Sequence, residues 1–189
     1  MSNGTKRDAI LRAAKELLWE QGFSAMSPRD VMERSGAGQG SLYHHFSGKM
    51  DLACAALAEM AAEESAAMDR IFDPSVKPLV RITNYLSRER DALRGCRLAR
   101  LVNEAAIEQR QFRQAVADFL TRIEDGLVNA LREAKMEGAL EPALDERALA
   151  AMFLAVVEGG FVLARAHWDP ERMRRALDGA RQVLQRLER

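Results

Sequence analysis

The stretch that most constrains this chain is Ser27–Leu52, SPRDVMERSGAGQGSLYHHFSGKMDL. It fits two short helices and a glycine turn into few residues, and each helix has a reason to start and stop. Ser27 can cap the first, Pro28 suits a first turn where no amide donor is needed, and Asp30 lies near the positive end of the helix dipole. Val31 and Met32 give that helix an apolar side, and Gly36 can take the positive φ that ends it. Gly36-Ala37-Gly38 makes the turn. A second helix is expected over Gln39–Phe46. Leu42 and Phe46, four residues apart, face a core, while Gln39, Gly40, Tyr43 and His44 face outward. Gly40 costs roughly 1 kcal/mol against alanine in a helix, which points to a close backbone approach, by a phosphate or by the first helix. The arrangement reads as a DNA-binding helix-turn-helix.

Within and around this stretch, Gly22-Phe23, Ser27, Val31, Gly36-Ala37, Gly40-Ser41-Leu42-Tyr43-His44-His45-Phe46, Lys49 and Leu52 resemble the N-terminal signature of tetracycline-repressor-like (TetR-family) transcription regulators. The resemblance covers the first quarter to third of the chain. Its specific part is SLYHHF followed by a lysine three residues on. Gly38-Gln39 stands where the family more often has serine and a basic residue, and Met50 where it commonly has an acid. The resemblance implies an all-α fold, with an N-terminal three-helix helix-turn-helix DNA-binding domain and a larger helical ligand-binding and dimerisation domain. It also implies that the last two helices dimerise, so that two recognition helices meet successive major grooves about 34–36 Å apart.

The expected DNA-facing set is Ser27, Arg29, Gln39, Gly40, Ser41, Tyr43, His44 and Lys49. The Tyr43 hydroxyl can donate to a phosphate while its ring braces the helix; the plainer role is packing. Gln39 and Ser41 are the best base readers, glutamine matching adenine. Arg29 can supply a guanine contact or take a phosphate, and His44 can reach the backbone or a base edge. Lys49 combines its charge with the open amides of a helix start, as a phosphate clamp does; the alternative is a solvated lysine. His44 and His45 diverge by about 100° on a helix and have no third ligand nearby, so neither a metal nor a cofactor is expected.

Charge bears on the DNA reading. The formal net charge is zero, and residues 1–50 hold seven Lys/Arg against five Asp/Glu. Affinity grows with the phosphates contacted, so one copy should hold double-stranded operator DNA weakly and a homodimer is the natural remedy. Cys54 and Cys96 form neither a disulfide framework nor a metal-binding spacing, which fits a reducing cytoplasm. Met1–Arg12 is polar and charged, unlike a cleavable signal. The apolar run Ala148–Val157 is broken by Glu158 short of the roughly 20 residues a membrane span needs. It is therefore expected as a buried helix, with no membrane partner.

Periodic apolar residues outline the remaining helices. Thr5–Gln21 is one, stopped by Gly22. A long helix capped by Ser47 runs to Phe72 and links the domains, 1–50 and 51–189. Further helices are expected over Val76–Leu93, Cys96–Ile107, Phe112 to about Gly138 and Asp145–His167, with a last one after Asp169-Pro170. The total is about nine helices and no strand.

Met60, Met68, Phe72, Tyr85 and Cys96, with Asn103, Phe119, Ile123, Met152 and Phe161, can line an apolar space holding a few polar points, suited to an unknown small-molecule inducer. Each can equally be ordinary core. On the last two helices, Phe153, Val157 and Gly160, with Met173, Leu177, Val183 and Leu184, form apolar faces for a partner copy in a four-helix bundle. Gly159-Gly160 is costly inside a helix unless helices approach there closely. No nucleophile–base pair, carboxylate dyad or metal triad stands at a recognisable spacing, so an enzyme is not expected. A helical ligand carrier or interaction scaffold without a DNA role would account for the chain beyond Phe72 but leaves Gly36–Lys49 unexplained. The expectation is a DNA-binding repressor released from its operator by a small, mostly apolar ligand.

Overall fold

The computed structural model describes residues 5–189; the first four residues of the polar Met1–Arg12 stretch lie outside it. The described chain is all-α. Eight α-helices follow one another: α1 (Lys6–Ala25), α2 (Pro28–Ser35), α3 (Gln39–His45), α4 (Lys49–Ile71), α5 (Pro78–Ser87), α6 (Arg110–Met136), α7 (Glu146–His167) and α8 (Glu171–Leu187). Two short 3-10 helices, Ala99–Asn103 and Ala105–Glu108, lie between α5 and α6.

The residues form two compact units, divided elsewhere than at residue 50. The first contains the described residues up to Glu63 together with Arg97–Asp118, the second Glu64–Cys96 together with Phe119–Arg189. Helices α4 and α6 therefore each contribute to both units.

In the first unit α1 turns Ile10, Leu11, Ala14, Leu17 and Leu18 inward, where they bury with Val31, Leu42, Phe46 and Leu52. Each of the larger of these side chains contributes about 1.5–3 kcal/mol on burial, so the apolar spacing of α1 is what seats the two short helices. Ion pairs brace the unit: Arg34 of α2 reaches Glu20 of α1 at 2.5 Å, and Lys15 of α1 reaches Glu63 of α4 at 2.5 Å. The stretch Cys96–Ile107, expected as an α-helix, is instead a turn followed by the two 3-10 helices, which meet at Glu104. Its side chains bond to α1: Arg100 donates to the Trp19 carbonyl, Arg97 stacks 5.3 Å over the Trp19 ring, and Glu104 accepts from Ser24. Phe112 meets Phe23 edge-on at 5.7 Å. These tertiary bonds override a segment rich in alanine, leucine and arginine, which are good α-helix formers.

In the second unit α5 stops at Ser87, short of the expected Leu93. Arg90 folds back and donates to the carbonyls of Tyr85 at 2.6 Å and Arg88 at 2.7 Å. These carbonyls belong to the last turn and would otherwise be open. On α6, Gly126 lets the Phe72 ring come close, since a Cβ there would lie 2.5 Å from the ring.

Helices α7 and α8 pack as an antiparallel pair. Phe153, Val157 and Gly160 of α7 and Met173, Leu177 and Leu184 of α8 are buried within this one chain. A Cβ at Gly160 would sit 3.0 Å from Met173 Cγ. Assigned above to a partner copy, these residues are instead covered within the chain, with Gly160 and Met173 in the contact between the two helices. Only Val183 of that set is well exposed, at 42%. A second correction concerns the Ala148–Val157 run. It continues through Glu158 to His167, long and apolar enough to cross a membrane by length and composition, and most of it is not buried in the chain.

Candidate nucleic-acid interface

The recognition element is built from its caps outward. Ser27 Oγ accepts from the Asp30 amide at 3.2 Å, and the Asp30 carboxylate accepts from the Ser27 amide at 3.0 Å. These bonds from Ser27 hold the Asp30 carboxyl below its usual range. Gly36 closes α2 at φ 68°, its N–H reaching the Met32 carbonyl, a conformation that favours glycine. Helix α3 then starts at Gln39 and ends at His45, with Phe46 turning out of the helix as its cap.

Leu42 and Phe46 are 2% and 3% exposed, whereas Tyr43 is 49% exposed. Gln39, Gly40 and His44 are also exposed, and Ser41 is half-buried. No atom lies within 4 Å of where a Gly40 Cβ would stand, so packing against α2 is not what requires glycine there. Arg29 is exposed and pairs with Glu33 at 2.9 Å. His44 and His45 meet edge-on at 4.9 Å. Lys49 is half-buried; Nζ donates to the Ser24 carbonyl at 3.1 Å and lies 4.5 Å over the Phe23 ring. That lysine holds the corner between α1 and α2 and keeps two of its three donors. Ser27 is similarly engaged as a cap. The outward face of α3 thus gathers Gln39, Gly40, Tyr43 and His44, a polar, aromatic surface with no lysine or arginine of its own.

The expected ligand-lining residues scatter. Met60 and Asn103 belong to the first unit, Asn103 on its surface. Met152 is 37% exposed on the outside of α7. Met68, Phe72, Tyr85, Cys96, Phe119, Ile123 and Phe161 belong to the second. There Tyr85 is 2% exposed, its ring 5.8 Å from that of Phe72, and its hydroxyl has no hydrogen-bond partner. Burial pushes this hydroxyl's pKa up. The Arg90 guanidinium stacks 5.1 Å above the ring, and Glu158 of α7 bonds to Cys96. Sequence reasoning missed Arg90 and Glu158. One sits in a charged run without periodicity, the other reads as an interruption of an apolar stretch. A groove of about 410 Å³ in this unit has Leu86, Ala92, Met173 and Leu177 on its floor and Arg88 and Arg90 among its walls; none of the ligand-lining residues expected from sequence takes part in it.

Burial raises the Glu158 carboxyl, with Cys96 and Arg90 opposing. A carboxyl whose folded pKa is raised stabilises the fold below its ordinary value, about 4.3, and that contribution is lost as pH rises through the raised value. Glu158→Gln is therefore expected to raise the melting temperature at neutral pH, and the gain should vanish on acidification. Melting curves across that range check it.

Comparisons with known proteins agree with this geometry. The family description for bacterial regulatory proteins of the tetR family matches residues 10–56, and that for the tetracyclin repressor-like C-terminal domain matches residues 76–180. The transcriptional regulator AcuR of Cereibacter sphaeroides is 26% identical over 170 residues, covering 86% of this chain and 78% of that one. The transcriptional repressor KstR2 of Mycolicibacterium smegmatis is 27% identical over 145 residues, covering 75% and 70%. A TetR-family regulator from Agrobacterium tumefaciens superposes with a TM-score of 0.85 at 25% identity, covering 97% of this chain and 98% of its own. A helix-turn-helix with an exposed reading face, followed by a C-terminal domain matched over most of its length, leaves one assignment: the chain belongs to the TetR family and is a DNA-binding transcription regulator.

Proposed function

We propose that this regulator is a homodimeric repressor, released from a partly palindromic operator when a small ligand occupies its second unit. The carrying observation is the outward face of α3, where Gln39, Tyr43 and His44 are exposed over a buried Leu42. That face has no lysine or arginine, so base contacts are few and the hold depends on phosphate contacts from Tyr43, Lys49 and Arg29 in two copies.

The second copy has a surface to meet. On α7, Ala148, Met152, Ala155 and Leu163 are exposed and Gly159 is half-buried; they recur at helical spacing along one stripe. No atom lies within 4 Å of a Gly159 Cβ. On α8, Val183 and Gly179 are exposed on a matching stripe. Glycine and alanine there permit close approach of a partner's helices, and a four-helix bundle would bury both stripes. This reading moves the interface from Phe153, Val157 and Met173 to Met152, Leu163 and Val183. TetR-family regulators act as homodimers with small-molecule ligands, and a cytoplasmic location goes with this reading.

Helix α4 starts three residues after the α3 cap and continues into the second unit. A ligand that favours a tilted α4 would change the separation of the two recognition helices. To release DNA it must bind the DNA-incompetent state more tightly.

Selection of fragments from the source genome, followed by footprinting, tests the reading. The protein should retain one class of partly palindromic fragment and sediment above 21.1 kDa. Tyr43→Ala with Gln39→Ala should weaken retention by roughly 2–4 kcal/mol, summing about 1–2 per lost contact. Leu163→Glu with Val183→Glu should leave a monomer that binds poorly. Retention unchanged by the first pair, or a dimer unchanged by the second, overturns the corresponding half of the proposal.

A further inference from the structure

The arginines around the groove of the second unit differ in one respect. Arg88 pairs with Glu64 at 2.8 Å. Arg174 is held by Glu171 and by Asp178 at 3.2 Å, and Arg181 by Asp178. Arg90 has no carboxylate within ion-pair distance among the described residues; its guanidinium bonds go to the neutral carbonyls of Tyr85 and Arg88. It is nevertheless largely removed from water, and burial pulls its pKa down. A desolvated cation without an anion is costly, and proteins ordinarily pair it.

A second orphan lies against it. The Tyr85 hydroxyl is buried without a hydrogen-bond partner, under the stacked guanidinium. Buried hydroxyls are normally satisfied. Glu158 acts on Arg90 through its charge but makes no ion pair with it, its carboxyl being hydrogen-bonded to Cys96. Cation and hydroxyl thus face one another as polar neighbours, with guanidinium N–H capacity left over. The Phe72 ring lies alongside Tyr85, and Arg90 itself lines the groove, with Leu86, Ala92, Met173 and Leu177 beside it.

We propose that Arg90 and Tyr85 form the polar end of the effector site, and that the effector is a small organic carboxylate. Its carboxylate would accept from the free guanidinium N–H groups and from Tyr85 Oη, with its apolar body in the groove against Leu86, Ala92, Met173 and Leu177. The inference rests on the reading of the second unit as the ligand-binding one, and it sharpens a mostly apolar ligand into an amphiphilic anion. A guanidinium fork matches a carboxylate, and the bond is charge-assisted. A neutral ligand would leave Arg90 uncompensated.

Calorimetric titration of the full-length protein without DNA tests the class. The probes are benzoate and hexanoate, each against its uncharged counterpart, benzamide and hexan-1-ol. Each carboxylate should bind at least about thirtyfold more tightly than its counterpart, the scale for a buried charge pair. Arg90→Gln should erase the preference, Arg90→Lys should keep part of it, and Tyr85→Phe should weaken carboxylates about tenfold, one charge-assisted hydrogen bond. Circular dichroism and retention of operator DNA report that each variant is folded. Equal binding of acid and amide, a preference that survives in Arg90→Gln, or no binding of either acid at millimolar concentration overturns the proposal. Operator release is measured separately. DNA-binding protein that prefers the neutral probes sinks the carboxylate and spares the repressor, while carboxylate binding by protein that holds no DNA does the reverse.

Discussion

Gly22→Ala is expected to destabilise the fold by about 3 kcal/mol, combining backbone strain and lost hydrogen bonds. Gly22 interrupts α1 at φ 85° and ψ 176°, a conformation almost confined to glycine. A methyl group there would also stand 1.9 Å from Glu104 Oε1. The other oxygen of that carboxylate accepts from Ser24 Oγ at 2.6 Å and from the Ser24 amide at 3.2 Å. A glutamate side chain can swing away, so the collision is relieved by giving up those two bonds. The strain at φ 85° has no such relief.

The two contributions separate in a double-mutant cycle. Glu104→Ala loses the Ser24 bonds, at about 1 kcal/mol for an exposed site. The double variant should lose less than the sum of the single ones, because the methyl then displaces nothing, and the remaining deficit is the strain. Denaturant unfolding of the four proteins measures this. Strict additivity would mean that Glu104 is not what the methyl meets. The same bonds fasten the 3-10 segment to the end of α1, so the single variants also show how far that fastening sets DNA affinity.

This corner marks where the sequence stopped being readable. Gly22 was legible as a helix stop, and Ser27, Asp30, Gly36, Leu42 and Phe46 as caps and core, because their signals are local and act within four residues. Glu104 was not, since its partner lies 80 positions away and nothing in its neighbourhood distinguishes it from a solvated carboxylate. The same holds for Arg90, which ends α5 by bonding back to carbonyls. An arginine in a charged run carries no mark of that. Helix α7 posed a different difficulty. It is apolar nearly all round, so periodicity announced two apolar faces without saying which meets α8. Close packing settled it: Gly160 lies against Met173, and a Cβ at Gly159 meets no atom. Lys49 was legible as a lysine at a helix start, but its bond to the Ser24 carbonyl required the fold.

Arg81→Met should cost about 3 kcal/mol, although the ion pair in which Arg81 takes part is worth little. Arg81 is the buried charged residue among those described, 3% exposed. Nε donates to the Val76 carbonyl at 2.6 Å, and Nη2 reaches the Pro74 carbonyl at 3.4 Å and Glu133 Oε2 at 2.5 Å. It therefore fastens the loop between α4 and α5 to α6. Methionine keeps the apolar stem and removes every donor, leaving two carbonyls of a proline-bracketed loop without partners. Glu133, 37% exposed along its side chain, simply rehydrates, so Glu133→Gln should cost less than about 1 kcal/mol. Acidification separates the two. The hydrogen bond from Arg81 holds the Glu133 carboxyl below its usual range. A depressed carboxyl contributes stability above its ordinary value and loses it as pH falls through the folded one. The gap between wild type and Glu133→Gln should therefore close in acid, while most of the Arg81→Met deficit should persist, because guanidinium–carbonyl bonds do not titrate there. Equal losses in the two variants at neutral pH would mean that Arg81 acts through the ion pair and not through the loop carbonyls.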